Sequence, residues 1–276
     1  MIRIGTSGWA YPEWRGSFYP AGLPQRRELE YLSGRMPTVE LNGSFYSLQR
    51  PASYQNWVAQ TPPEFCFAVK GGRFVTHLKR LREPETPLAN FFASGVLALG
   101  DKLGPVLWQV PATLSFDLDL IAGFLDALPR STGEAAELAN RHSAVLSADR
   151  TWLTVERDRP LRHAIEVRHE SFRTEEFSDL LRANDIALVA SDSPGTWPYF
   201  EEITAGFGYF RLHGDTELYA SGYTRQALTT WAATIRDWSR QGDVYVYFDN
   251  TAEGRATEDA GGLAELLGLA AETTRS

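Results

Sequence analysis

Eight short apolar runs, separated by stretches of helical periodicity, constrain this 276-residue chain more than any other feature. The runs are "IRIGTSG" (2–8), "TVELN" (38–42), "FCFAVKG" (65–71), "GPVLWQVP" (104–111), "HAIEVRHE" (163–170), "IALVASDS" (186–193), "GYFRLHG" (208–214) and "DVYVYFDN" (243–250). Each has the length of a strand and ends in polar or glycine-rich residues. Between most of them, segments such as "FSDLLRAND" and "ALTTWAATIRDWSRQG" repeat apolar residues at the spacing of an amphipathic helix. Strand alternating with helix eight times in about 250 residues predicts an α/β fold, a single (β/α)8 TIM barrel over 1–276. A doubly wound open sheet shares the alternation, but no glycine-rich fingerprint follows the first strand. One connection is extended: residues 112–162 separate the fourth and fifth strands. There "DLDLIAGFLDALP" supplies the expected helix and "GEAAELANRHSAVLS" a second. Because the addition follows the helix, it is expected toward the face opposite the site.

Composition narrows the function classes. A single cysteine, Cys66, rules out an internal disulfide and a cysteine-only metal cage. "MIRIGTSGW" lacks the pattern of a secretory leader, and no apolar stretch approaches the roughly 20 residues that span a bilayer. A cytoplasmic protein with no membrane partner is the expectation. The formal net charge of −8 argues against a protein that coats nucleic acid, although a locally basic pocket remains compatible with it.

Register along the strands locates a candidate site. In a barrel one face of each strand meets the helices and must be apolar, while the other fills the interior. With the apolar positions of each run turned outward, Gly5 and Ser7, Glu40 and Asn42, Lys70, Gln109, Glu166 and Arg168, and Arg211 and His213 face inward. Tyr245, Tyr247 and Asp249 join them from the last strand; in the sixth, either Ser191 or Asp192 faces in. These polar residues fall at the carboxyl ends of the strands, where barrel enzymes carry their sites. A purely structural reading has Glu40, Glu166 and Asp249 neutralising Lys70, Arg168 and Arg211. A barrel needing only stability would instead fill this layer with Val, Ile and Leu, because burying ions costs several kcal/mol each unless they are paired.

Loops after the strands are rich in aromatics. "GTSGWAYPEWRGSFYP" (5–20) and "NGSFYSL" (42–48) carry Trp9, Trp14, Phe18, Phe45 and Tyr46, and "TELYASGY" (216–223) carries Tyr219 and Tyr223. Trp14, Phe18 and Phe45 are expected to cap the barrel end and pin the loops. Trp9, Tyr46 and Tyr223, beside the polar ring, are expected to contact a ligand. At these residues the sequence resembles the YecE-like family, domain of unknown function 72. The ordered set "GTSGWAYPEWRGSFYP", "ELNGSFY", "FAVKGGRFVTH", "EVRHESF", "RLHG" and "YFDN" carries the resemblance over nearly the whole chain. The resemblance implies one barrel similar in outline to those of xylose isomerase and endonuclease IV, with no established reaction. It singles out Ser7, Trp9, Glu40, Asn42, Tyr46, Lys70, His77, Glu166, Arg168, His169, Arg211 and His213. Ala112, Phe172 and Asp249 depart from the family pattern, the last placing a carboxylate where an asparagine is usual.

The chemistry expected of this set is acid–base work on an anionic ligand. Arg168, Arg211 and Lys70 form an anion clamp, since a guanidinium binds carboxylate or phosphate bidentately. Glu166 and His213, with Asp249, are the candidate catalytic groups. Asn42, Gln109 and Asn250 are placed to orient neutral hydroxyls, and His77, His169 and Asp192 complete the candidate binding residues. No cofactor is expected. A divalent metal is the second reading, on ligand types at His77, His169, His213, Glu40, Glu166, Asp192 and Asp249, but no tight ligand spacing occurs and three cations share the rim. The substrate expected is a small phosphate- or carboxylate-bearing, sugar- or nucleotide-like molecule. Nucleic-acid phosphodiester chemistry and a non-catalytic binding barrel are the alternatives. Water in an open mouth is expected to reach Arg168 and Arg211, so that Glu166 matters more for turnover than for folding.

Overall fold

A computed structural model describes residues 1–269 of the protein, apart from the side chain of residue 253. Its parallel strands are β1 (Ile2–Ser7), β2 (Thr38–Leu41), β3 (Cys66–Lys70), β4 (Leu103–Gln109), β5 (His163–Glu166), β6 (Ile186–Leu188), β7 (Ala190–Asp192), β8 (Phe207–Leu212) and β9 (Asp243–Phe248). They are hydrogen-bonded in the order β6-β5-β4-β3-β2-β1-β9-β8-β7. The expected eight strands become nine because the sixth apolar run serves as two: β6 pairs with β5, and β7 pairs with β8. Val189 divides them, and its N–H donates to the Ile165 carbonyl at 3.0 Å. The sixth run therefore carries the ring from one neighbour to the other, and the barrel closes.

Helices Glu28–Ser33, Pro51–Ala59, Glu85–Ala93, Leu118–Asp126, Glu175–Ala183 and Arg225–Trp238 lie between strands, and Arg255–Leu267 follows β9. Several start on side chains that satisfy an otherwise unpaired N–H. Asp117 accepts from Leu120 N–H, Thr174 from Phe177 N–H and Thr224 from Ala227 N–H. Residues 193–206 pass from β7 to β8 without an α-helix, one irregularity in the alternation. The long β4–β5 connection holds the second helix, Thr132–Ala139, packed against Glu85–Ala93. Its return segment crosses the amino-terminal end of the barrel, where Arg159 Nη2 donates to the carbonyl of Leu103, the first residue of β4, at 2.9 Å. That is the face opposite the polar layer, as chain order predicts.

Alternation divides the core in two. Val39, Phe67, Val69, Val106, Trp108, Ile165, Phe210, Val244 and Val246 pack with the helices in the outer core. Ala68, Leu107, Ala164, Ala187, Val189, Tyr209, Tyr245 and Tyr247 form a separate cluster, on the strand positions that face the lumen. Each fully buried side chain of the outer core contributes about 1.5–3 kcal/mol. Gly5, on β1, allows a close approach: a Cβ there would stand 2.1 Å from the Thr38 carbonyl oxygen of β2. Small and aromatic side chains thus fill the lower lumen, and the polar residues one step further along the same faces form the layer above.

Candidate active site

The polar layer is assembled by register. Ser7 is level with Glu40, Gln109 with Glu166, and Ser191 with Arg211. Ser191, 2% exposed, therefore takes the inward position in the sixth run, which the sequence left open between it and Asp192. Residues one or two beyond the strand ends, among them Arg168, His213 and Asp249, extend the layer toward the mouth.

Arg211 stands at its centre with no solvent exposure. Its Nε and Nη2 donate to the two oxygens of Glu40 at 3.1 and 2.9 Å, Nη1 to Glu166 at 2.7 Å, and Nη2 also to Asp249 at 2.9 Å. Ser7 Oγ and Tyr209 Oη complete the shell of Glu40 at 2.9 and 2.7 Å. Three carboxylates from three strands thus converge on one guanidinium, in a dry layer where charge-assisted bonds are strong. Burial opposes ionisation of Glu166, yet Arg168, Arg211 and His213 together hold its carboxyl well below the usual range. Asp249 follows the same pattern, with burial outweighed by Arg211 and His213. Both are carboxylates at neutral pH.

This geometry revises the expected clamp. The donors of Arg211 are committed to protein carboxylates, so it is a buried counter-ion rather than a ligand contact. Water does not reach it, nor does it reach Glu166, which is 0% exposed; the expected solvent relief at Arg211 is absent. Arg168 is different. Its Nε donates to Glu166 Oε1 at 2.6 Å and its plane lies 3.6 Å from the Trp197 ring, but Nη1 makes no hydrogen bond among the described residues. Lys70 is different again. Its side chain is buried on the inner face of β3, its Nζ lies 4.5 Å from the Phe45 ring centroid, and no carboxylate of the described residues stands within ion-pair distance.

His213 is fully buried, in T-shaped contact with Trp197 and Tyr219 at centroid distances of 5.5 and 5.3 Å. Its Nδ1 lies 3.0 Å from Asp249 Oδ2, off the line of a well-formed hydrogen bond, and Nε2 lies 3.9 Å from Glu166. Neither ring nitrogen has a hydrogen-bond partner among the described residues. Gly214 (φ +129°) turns the chain directly after it, so that Tyr219 N–H returns to the His213 carbonyl.

The remaining expected residues divide. Gln109 joins the ring, and its amide makes no hydrogen bond among the described residues; Asn42 lies beyond β2 with a buried Oδ1 lacking a partner. His77 sits in a π-helical turn, Phe74–Leu78, against the edge of Phe45. Burial first, then Lys70 and Arg168, push its pKa down, which marks the surroundings as cationic. His169 is used locally, its Nδ1 bonded to Ser171. Tyr46 is exposed at the rim, and Trp9 is half-buried against Trp57. Asp192, Tyr223 and Asn250 are not brought into the ring: Tyr223 Oη donates to Asp192 at 2.8 Å, and Asn250 Nδ2 bonds to Ser221 and Asp259. Trp14 caps and pins as expected, its Nε1 donating to the Thr251 carbonyl at 3.0 Å. Sequence reasoning missed Trp197; its signal was one tryptophan among turn residues, "SPGTWP", directly after the sixth strand. It also assigned Phe45 to capping, whereas the ring lies against Lys70.

Among the described residues, no three His, Cys, Asp or Glu side chains form a group suited to a metal ion; the three central carboxylates surround Arg211 instead. Two surface grooves lie elsewhere. One, of about 380 Å³, is lined by Glu217, Ser221, Tyr223, Thr224 and Arg255; the other, of about 400 Å³, by residues including Leu97, Trp152 and Arg159. No helix of the described residues is long and apolar enough to cross a membrane.

Fold and charged layer together define a TIM barrel with its polar side chains gathered at the carboxyl ends of the strands. The chain belongs to the family described as "Protein of unknown function DUF72", which matches residues 3–276. Among its relatives, the UPF0759 protein YunF of Bacillus subtilis is 26% identical over 290 residues, 98% of this chain and 95% of that protein. The UPF0759 protein YecE of Escherichia coli is 30% identical over 130 residues, 47% of this chain and 45% of its own. The crystal structure of a DUF72 family protein from Thermotoga maritima superposes with a TM-score of 0.77 at 26% identity, covering 97% of this chain and 99% of that one.

Proposed function

We propose that the protein is an enzyme that carries out metal-independent acid–base chemistry on a small anionic, sugar- or nucleotide-like substrate at the carboxyl-terminal mouth of the barrel. The observation that carries this reading is the division of labour among the cations. Arg211 neutralises the carboxylates, which leaves Lys70 and the Nη1 of Arg168 as uncommitted donors at the edge of a dry layer. Glu40, Glu166 and Asp249 attract the Lys70 ammonium across the layer, but none of the described carboxylates pairs with it directly, and a nearly buried charge without a contact partner is costly. A ligand phosphate or carboxylate would supply that counter-ion.

His213 is the proton carrier in this reading. The Asp249 carboxylate, 3.0 Å from Nδ1, electrostatically favours the tautomer with the proton there and leaves Nε2 as the base. Glu166, held ionised by Arg168 and Arg211, keeps the guanidinium of Arg168 in place rather than exchanging protons itself.

Sulfate or phosphate is expected to raise the melting temperature at matched ionic strength, because a ligand stabilises only the form it binds. Arg168→Ala should remove most of that gain. An equal gain from chloride, or a gain unchanged in the variant, would overturn the reading.

A further inference from the structure

Of the 27 lysine and arginine residues of this chain only three are lysines, at positions 70, 79 and 102. Two have direct partners. Lys79 is paired with Glu83 at 2.9 Å, and Lys102 donates to the Val58 and Thr61 carbonyls at 2.8 and 2.6 Å. Lys70 has neither an ion pair nor a hydrogen bond to Nζ among the described residues, although Glu40, Glu166 and Asp249 share its layer. Those carboxylates are turned to Arg211 and Arg168. The backbone at Lys70 is fixed from both sides: Ser44 Oγ donates to its carbonyl at 2.7 Å, and Gly71 N–H pairs with Leu107 at 2.8 Å. The amine extends from this fixed backbone, in a residue 8% exposed, with the Phe45 ring 4.5 Å from Nζ and with Arg211 and the three carboxylates further off in the same layer.

An arginine would bind an anion there as well or better, and it is the cation this chain uses almost everywhere else. What an arginine cannot do is lose its proton and act as a nucleophile. We propose that Lys70 is a carbonyl-reactive amine, which forms an imine with an aldehyde or ketone substrate whose anionic group is held by Arg168. The anionic part of this substrate class rests on the function proposed above; the imine does not.

Burial, with Arg211 nearby, pulls the pKa of Lys70 down to about 8. At pH 7 about one molecule in ten then carries the free amine, against well under one in a thousand for an ordinary lysine. The step balances without an oxidant or reductant. The Nζ lone pair attacks the carbonyl carbon, a C–N bond forms, and the π pair moves to oxygen. Both amine protons leave with that oxygen as water, and the imine takes up one proton to become an iminium. Because the iminium is again a cation, the charge balance of the layer is preserved, and it draws electrons from the adjacent carbon. A base in the same layer, His213, is suited to remove a proton from that carbon.

The test is reductive trapping on the full chain, with glycolaldehyde phosphate and, separately, glycolaldehyde. Sodium borohydride delivers hydride to the imine carbon and leaves a stable secondary amine, which peptide mapping by mass spectrometry assigns to Lys70, Lys79, Lys102 or the amino terminus. At pH 7.5 labelling of Lys70 should exceed that of Lys79 and Lys102 by at least about tenfold, since its free-amine fraction is on the order of a hundredfold larger than that of an unperturbed lysine. It should rise as pH increases through 8, and Lys70→Arg should retain the fold by melting temperature and lose the label. If Lys70→Arg fails to fold, the wild-type map still decides. Equal labelling of the three lysines, or none at Lys70, overturns the imine even where sulfate stabilises the protein. Equal trapping of the phosphorylated and plain aldehydes at Lys70 upholds the imine and removes the anionic group from the substrate class.

Discussion

Arg211 shows how a residue's role depends on what its neighbours have already taken. From sequence it is one of three cations facing a lumen, equivalent to Lys70 and Arg168. In the folded protein its donors meet Glu40, Glu166 and Asp249, and it becomes the internal cation that allows three carboxylates to share one dry layer. Glu166 is then first a counter-ion. Replacing it by Gln leaves Arg211 and Arg168 each short of a carboxylate, and because both Glu166 and Arg211 are sealed from water the loss should reach about 3–5 kcal/mol. Denaturant titration of Glu166→Gln at pH 7 checks this; a loss below about 1 kcal/mol would show that solvent does relieve the stranded charge. The pH dependence has a definite sign. The carboxyl titrates lower in the folded chain than its ordinary 4.5, so its contribution is complete above that value and fades as pH falls toward the folded pKa. The gap between wild type and variant should therefore be constant from pH 7 to about 5 and narrow below it.

At the scale of the element, β8 and the sixth run show how one pleat distributes structure and chemistry. Along β8, Phe210 and Leu212 pack in the outer core, while Tyr209 and Arg211 face the lumen, and His213 continues the inner face beyond the strand. Strand period thus predicts the face of each of these residues without tertiary information. The sixth run obeys the same period through Ala187, Val189 and Ser191, yet its ladder switches partner at Val189. β1 carries a different constraint. Gly5 lies where β1 and β2 approach too closely for a side chain, and the obstructing atom is a backbone oxygen that cannot swing aside. Gly5→Ala should destabilise the protein by about 1–3 kcal/mol or more by forcing the two strands apart. It should also loosen the Ser7–Glu40 contact two residues on. Thermal unfolding measures the first effect, and a variant as stable as wild type would show that the strands can separate at small cost.

For the whole molecule, charge is distributed against its average. The chain carries a net −8, yet the interior of its mouth is balanced, and the segment around His77 is cationic. An anionic polymer that approaches from solution meets the acidic average, while a small anion that enters the mouth meets Lys70 and Arg168. Binding of a single-stranded oligonucleotide, followed by fluorescence polarisation, should therefore be absent at micromolar protein in about 150 mM salt. Binding that falls steeply as salt rises would require a basic track on the exterior, and would favour phosphodiester chemistry over the small-molecule reading.

The sequence alone pointed to the barrel, to the faces of the strand residues named in each of its eight runs apart from the choice between Ser191 and Asp192, and to most of the polar side chains at the carboxyl ends. These follow from periods of two and near four, which are local and survive any change in the rest of the chain. Pairing within the set belonged to the tertiary structure. Glu40, Glu166, Asp249 and Arg211 lie on four strands, and which carboxylate meets which cation depends on ring order, stagger and side-chain length together. The same is true of Trp197, whose irregular segment has no period to read, yet whose ring stacks on Arg168 and flanks His213. Asp192 and Tyr223 were expected at the site and bond to each other instead. Lys70 was legible as an inward cation; that it has no counter-ion is a fact about three carboxylates elsewhere in the fold, and only their arrangement in space could decide it.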